Sequence, residues 1–142
     1  MSLENLCRRE IICVKTSEKV IDATRMMEEK NVGSVIVVSN DKPLGIVTDR
    51  DVMIRVVNKG LDPEKTPVSD IMSLEIITLN KDTGLYEALE QIKESKSSVR
   101  RFPIVDENGS IKGIITLDDV VYLLGREMSD VSSIIESERP KL

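Results

Sequence analysis

Two copies of one short motif place a threonine three residues ahead of an aspartate. They are Thr48-x-x-Asp51 and Thr116-x-x-Asp119, and each follows a glycine and a short β-branched run. A carboxylate can accept two O–H donors at once through charge-assisted hydrogen bonds, which suits it to bind a polar ligand. The same spacing is typical of a capping box, which closes the first turn of a helix. One aspartate can serve both purposes, so both interpretations stay open.

The residues around the two motifs repeat as well, which indicates an internal duplication. Residues 45–51 recur as 113–119, and residues 3–7 correspond to 68–72. Short β-branched runs separated by turn residues and by longer apolar-periodic segments predict a β-α-β-β-α order in each half. The predicted strands are 11–14, 35–38, 44–47, 76–79, 102–105 and 111–115, the predicted turns 40–43 and 106–109, and the predicted helices 20–30, 51–58, 85–94 and 119–124.

The size of each half predicts how the two are arranged. A unit of this length holds only a marginal core alone, so we expect an α+β fold of two β-α-β-β-α repeats packed sheet to sheet as a pseudo-twofold pair. The expected division is a first domain at 3–60, a linker at 61–67, a second domain at 68–125 and a tail at 126–142. We expect the tail to be a partly ordered helix, with Ile134 and Ile135 as its anchors.

The composition excludes several classes of protein. The formal charge of −5 and the scarcity of aromatic residues argue against binding to nucleic acid. There is no histidine, no P-loop and no nucleophile elbow, so we expect no enzymatic activity. Cys7 and Cys13 form no metal-ligand pattern or disulfide framework. No apolar run reaches the roughly 20 residues of a membrane span, and the first residues do not resemble a secretory signal, so a cytoplasmic protein is expected.

In these repeated stretches the chain resembles the cystathionine-β-synthase (CBS) domain family, as a tandem pair called a Bateman module. The two motif copies carry the resemblance, together with Val-Ser-Asp-Ile-Met at 68–72, Tyr-Glu-Ala-Leu at 86–89 and Arg-Phe-Pro-Ile-Val-Asp at 101–106. It extends from residue 3 to residue 124. The resemblance implies a sensory module that binds AMP, ADP, ATP or S-adenosylmethionine between its repeats, forms homodimers and regulates a partner protein, with no cofactor required.

The resemblance also implies roles for individual residues. The two motif aspartates would bind ribose hydroxyls, the motif threonines would contact ribose or phosphate, the arginines would bind phosphate, and an apolar slot with small side chains would hold the adenine. The implied ligand-binding residues are Thr16, Ala23, Thr48, Arg50, Asp51, Thr83, Ala88, Arg100, Arg101, Thr116, Asp118 and Asp119. Several have ordinary alternatives, because surface arginines, helix caps and helix-packing alanines are common in any fold.

The two repeats differ in their positive charge. The second repeat has Arg100 and Arg101 where the first has Gly33 and Ser34, and the first motif has only Arg50 beside it. Neighbouring strand residues point to opposite faces, so Arg101 is expected to face the cleft and Arg100 to reach it only from the strand end. The arginine pair favours a phosphorylated ligand over S-adenosylmethionine, and it makes the second repeat's site the better one. The remaining alternative is a ligand-free scaffold whose motifs only cap helices.

Overall fold

The computed structural model describes residues 1–96 and 99–140, and it has the expected duplicated order of elements. In chain order they are α1 (Leu3–Leu6), β1 (Cys13–Lys15), α2 (Val20–Lys30), β2 (Ser34–Ser39), β3 (Lys42–Thr48), α3 (Asp49–Val52), β4 (Leu79–Asn80), α4 (Leu85–Ser95), β5 (Arg101–Val105), β6 (Ile111–Thr116) and α5 (Leu117–Ser137). A π-helical turn over Met53–Val57 continues α3, and a short 3₁₀ turn over Val68–Asp70 opens the second repeat.

The two repeats contain matching three-stranded sheets. In each, the first strand is parallel to the second and the second is antiparallel to the third, giving the orders β1-β2-β3 and β4-β5-β6. The register also matches, because Ser34 pairs with Thr48 in one sheet and Arg101 pairs with Thr116 in the other. Ser34 and Arg101 therefore occupy equivalent positions. The α+β fold with two repeats is confirmed.

The central strands bury both of their faces, which explains their unbroken apolar sequence. In β2, Val35 and Val37 lie in the first repeat's own core with its helices. The alternate residues Ile36 and Val38 lie in a separate cluster that includes Ile114 of the second repeat. Successive strand residues point to opposite faces, so this second cluster is the contact between the two sheets. The expected packing of sheet on sheet is confirmed.

The segments that lead into the two repeats are exchanged between them. Leu3 of α1 is fully buried in the second repeat's core, and the Arg8 N–H donates to the Ile114 carbonyl at 2.9 Å. Val68, in turn, is buried in the first repeat's core, and the Ser73 N–H donates to the Ile46 carbonyl at 2.8 Å. Each leading segment thus completes the repeat to which it does not belong in sequence, which the sequence analysis did not predict.

Some predicted boundaries are wrong. The last helix does not end at residue 124 but continues unbroken to Ser137, and its expected anchors Ile134 and Ile135 are 59% and 56% exposed, so they anchor nothing within this chain. The strand predicted at 76–79 is reduced to Leu79–Asn80. The exposure of Ile134 and Ile135 shows that an apolar pattern does not reveal whether its contacts lie within the chain.

The first hairpin turn is also tighter than predicted. Asn40 and Asp41 both have positive φ, as a two-residue hairpin loop requires. Lys42 and Pro43, which were expected in the turn, therefore belong to β3. Within the described residues, no helix is both long and apolar enough to cross a membrane.

We predict that Gly113→Ala lowers the free energy of unfolding by about 1–3 kcal/mol, the usual effect of overpacking. A Cβ at this position would lie 2.5 Å from Cys7 Sγ and 2.7 Å from the Arg8 carbonyl oxygen, in the exchanged segment. Gly125→Ala is the control: its added Cβ has no neighbour within 4 Å, and replacing a helical glycine should stabilise the chain by up to about 1 kcal/mol. Denaturant unfolding measures both, and an unchanged midpoint for Gly113→Ala would contradict the exchange.

Candidate functional site

Two clefts lie between the repeats, one beside each Thr-x-x-Asp motif. The first has a volume of about 350 Å³, and Thr48, Asp51 and the exchanged residues Ser73 and Glu75 are among its lining. The second has a volume of about 320 Å³. Its lining includes Thr116 and Asp118 of the second repeat, the exchanged residue Arg8, and Glu10 and Ile12 that follow it. The exchanged leading segments therefore form part of the wall of each cleft.

Both motifs form complete capping boxes. The Asp51 N–H donates to Thr48 Oγ1 at 3.0 Å, and the Thr48 N–H donates to Asp51 Oδ2 at 2.9 Å. Thr116 and Asp119 make the same two bonds, both at 3.0 Å. The capping interpretation is confirmed. It leaves the other carboxylate oxygen, Oδ1, of each aspartate for further contacts.

In the second repeat, that remaining oxygen is occupied. Arg8 donates to Asp119 Oδ1 from Nε at 2.9 Å and from Nη2 at 2.5 Å. Partial burial alone would raise the pKa of Asp119, but hydrogen bonds from Thr116 and from Arg8 outweigh it and hold the pKa below the usual aspartate value. Both oxygens of Asp119 are engaged, and Asp119 is not among the residues that line the second cleft.

In the first repeat, the equivalent oxygen is more open. Asp51 Oδ1 lies 3.9 Å from Arg55 Nε, which is at the outer limit of an ion pair. The Asp51 side chain is 16% exposed, nearly the same as the 15% of Asp119, but it does line its cleft. The positive charge in the sequence favours the second repeat's site, whereas Asp51 Oδ1 in the first repeat is less closely engaged than Asp119 Oδ1.

The two arginines line both clefts rather than the second one alone. Arg101 begins β5 and is half-buried. Arg100 precedes the strand, as expected for a residue that reaches the cleft from the strand end, and its side chain forms an ion pair with Asp118 at 3.0 Å. In the part of the chain that the structure describes, no ion pair joins Arg101 to an acid. Arg100 and Arg101 therefore bring positive charge from the second repeat into the first cleft, which Asp51 also lines.

Besides Asp119, five of the residues implied by the resemblance line neither cleft. Arg50 is exposed on α3 and lines neither of them. Ala23 and Ala88 are 0% and 1% exposed in the cores of their repeats. Thr16 lines a separate depression beside the first hairpin. Thr83 uses its carbonyl to accept a hydrogen bond from α1.

The sequence analysis missed the exchanged residues that line the clefts, above all Arg8, Ser73 and Glu75. Arg8 and Ser73 bridge to the equivalent positions Ile114 and Ile46, so they correspond to each other across the duplication. Extending the match of residues 3–7 with 68–72 by one position would have paired them. Among the described residues, no three histidine, cysteine, aspartate or glutamate side chains lie close enough together to hold a metal ion.

Comparison with known proteins gives one consistent result. The model of the family described as the CBS domain matches residues 3–58 and 68–126. An uncharacterized protein of Methanopyrus kandleri is 36% identical over 87% of this chain, which spans 62% of that relative's length. The CBS domain-containing protein YhcV of Bacillus subtilis is 32% identical over 93% of this chain and 89% of its own length.

A solved structure is similar in fold. It is a CBS domain protein from Pyrobaculum aerophilum complexed with AMP, with a TM-score of 0.70 and 20% identity. The match covers 84% of this chain and 89% of that one.

We predict that Asp119→Asn lowers stability at neutral pH by about 0.5–1 kcal/mol, because it removes the charge that Arg8 and the helix N-terminus stabilise. The folded-state pKa of Asp119 is lowered, so this contribution is present above the unfolded value of about 3.9 and is lost as the pH falls through the folded value. Denaturant unfolding of both proteins from pH 7 downward should show the difference vanishing in acid.

The control for that experiment is Asp118→Asn, which changes a side chain that is 81% exposed. Its effect should stay within about 0.5 kcal/mol at neutral pH. A stability difference for Asp119→Asn that persists undiminished at the lowest pH would show that the charge is not the cause.

Proposed function

The chain belongs to the CBS domain family as a tandem pair, and from this we propose that it is a regulatory module that binds an adenosine nucleotide, AMP first, between its repeats. Binding of the nucleotide would change the conformation of the module, and this change would be transmitted to a partner protein. One observation carries the proposal: Asp51, with an open carboxylate oxygen, lines the same cleft of about 350 Å³ as Arg100 and Arg101.

The chemistry of this cleft matches the parts of a mononucleotide. Asp51 Oδ1 would accept O–H donors of a ribose, and the arginines would supply positive charge for a phosphate. Ile46 provides an apolar contact surface for a flat base. The volume of about 350 Å³ falls at the lower end of the range for small-molecule sites, which suits one nucleotide.

The acids of the cleft bear on the choice among adenosine ligands. Asp49 and Glu75 line it beside Asp51, so they oppose a large negative charge on the ligand. AMP carries fewer negative charges than ADP or ATP and is therefore favoured. The AMP complex of the Pyrobaculum aerophilum neighbour, which is similar in fold, supports the same choice. The same acids would attract the positively charged sulfonium of S-adenosylmethionine, which is therefore the alternative ligand.

The regulatory role extends the proposal beyond binding. Since the two arginines serve both clefts, a phosphate bound in the first changes the electrostatic environment of the second. We propose that the first cleft fills before the second, whose aspartate must first exchange Arg8 for the ligand. We propose further that the chain forms a homodimer and regulates a protein in trans without catalysing a reaction itself.

We predict that AMP raises the thermal stability of the chain, by about 2.7 kcal/mol at a hundredfold excess over its dissociation constant. Asp51→Ala should weaken AMP binding at least tenfold, because charge-assisted hydrogen bonds contribute about 1.5–3 kcal/mol each. Calorimetric titration and thermal unfolding measure the two effects.

Asp22→Ala is the matched control for that experiment. Asp22 accepts the Lys19 N–H at 2.9 Å in the capping box of α2 and lines neither cleft. Both variants should lose about 1 kcal/mol of stability as capping residues, but only Asp51→Ala should lose affinity. Equal AMP affinity in the two variants would favour the ligand-free scaffold instead.

We predict that Arg101→Ala weakens AMP binding about tenfold while leaving adenosine binding unchanged, because the arginine would contact only the phosphate. The control is Arg25→Ala, since Arg25 is exposed on α2 and lines neither cleft. Titrating each variant with AMP, adenosine and S-adenosylmethionine separates the ligands. Tighter binding of S-adenosylmethionine than of AMP by the unmodified chain would assign the site to the alternative ligand.

A further inference from the structure

The side chain of Arg8 lies between Asp119 and the second cleft. Arg8 lines that cleft, and it also lines a separate depression of about 270 Å³ between α1 and α5. Of these two cavities, Asp119 lines only the depression, whereas its capping partner Thr116 lines only the cleft. Arg8 therefore marks the boundary between the two cavities, and the Asp119 carboxylate lies on the side away from the cleft.

In the first repeat, the aspartate and the exchanged residue share one cleft. Ser73 exchanges two backbone hydrogen bonds with Ile46, at 2.8 and 2.9 Å, and Arg8 exchanges the same two with Ile114, at 2.9 and 3.0 Å. The two backbones are thus held alike, and the difference lies in the side chains. Ser73 and Asp51 line the same cleft, so a short side chain at this position leaves the motif aspartate facing the cleft.

Arg8 occupies the acceptor that a nucleoside would need. Its Nε and Nη2 both donate to Asp119 Oδ1, the oxygen that the capping box leaves for other contacts. A ribose hydroxyl is also a donor and would bind the same carboxylate oxygen. The guanidinium and a ribose are therefore competitors for one atom, and the guanidinium belongs to the chain itself.

We propose that Arg8 is the specificity-determining residue of the second cleft, where it blocks a ribose from Asp119. The residue at this position of each leading segment, arginine or serine, then decides how well a cleft takes a nucleoside. This rests on the nucleotide binding proposed above and assigns the difference between the two clefts to one side chain. The blocking residue comes from the segment that precedes the first repeat, so it is far in sequence from the motif that it controls.

The block is reversible, because the Arg8 side chain is 73% exposed and ion pairs in contact with water are weak. A ligand that binds only the open state has its affinity reduced by the fraction of molecules in that state. If Asp119 is free of Arg8 in about a tenth of the molecules, AMP binds about tenfold more weakly. Charge alone predicts the opposite effect for Arg8, since a cation in the lining attracts a phosphate. The sign of the change on removing Arg8 therefore distinguishes the two roles.

The test is calorimetric titration of the full chain with AMP in the Asp51→Ala background, which isolates the second cleft. Arg8→Ser introduces the residue of the first repeat. Arg9→Ser is its control, because it removes the same charge from an exposed neighbour that lines neither cleft. We expect Arg8→Ser to strengthen AMP binding by about tenfold or more and Arg9→Ser to leave it unchanged. Adding Asp119→Ala to Arg8→Ser should remove the gain. Arg8→Gln, which keeps much of the side-chain length without the charge, should change the affinity in the same direction as Arg8→Ser.

The possible results separate this proposal from the one on which it rests. Unchanged or weaker AMP binding in folded Arg8→Ser and Arg8→Gln, with circular dichroism as the check on folding, would overturn the blocking role alone. A gain that survives Asp119→Ala would also overturn it, because the aspartate would then not be the group that Arg8 withholds. An unmodified chain that binds no AMP in either cleft would overturn the nucleotide function, and the blocking role with it.

Discussion

The exchange of leading segments between the repeats is the constraint on which the rest of the structure depends. Leu3 is buried in the second repeat's core and Val68 in the first repeat's core, so neither repeat has a complete core without the other. The exchanged leading segments pass so close to Gly45 and Gly113 that a Cβ at either position would collide with them. Because the exchange supplies a wall to each cleft, the fold and the proposed binding sites share one origin.

The two motifs show how equivalent positions come to differ in their contacts. Both aspartates cap a helix with the same bonds, which the duplication preserves. They differ in what the exchanged segment brings: Arg8 reaches Asp119, whereas the equivalent Ser73 leaves Asp51 open. One residue in an exchanged segment therefore decides which carboxylate keeps an oxygen without a close hydrogen-bond donor, and the arginines line both clefts.

Much of the fold could be predicted from the sequence because its signals are local. The duplicated motif, the alternation of strands and the capping boxes each depend on a few neighbouring residues. The equivalence of Ser34 and Arg101 also followed from the repeat. The division of the chain at residues 61–67 stays a prediction, as do the ligand roles of the cleft residues.

What could not be predicted depends on contacts between distant parts of the chain. No local pattern shows that Arg8 pairs with Asp119, which follows from the exchange, or that both clefts share Arg100 and Arg101, which follows from the packing of the two repeats. Ile134 and Ile135 were expected to anchor the tail yet are exposed, because an apolar side chain in the sequence does not show what covers it.

The central claim is that the cleft at Asp51 holds an adenosine nucleotide between the two repeats. A crystal structure of the chain with AMP tests it most directly. The account predicts a ribose hydroxyl within hydrogen-bond distance of Asp51 Oδ1 and a phosphate at Arg100 or Arg101. AMP bound away from this cleft, or crystals that show no nucleotide there at saturating AMP, would contradict it.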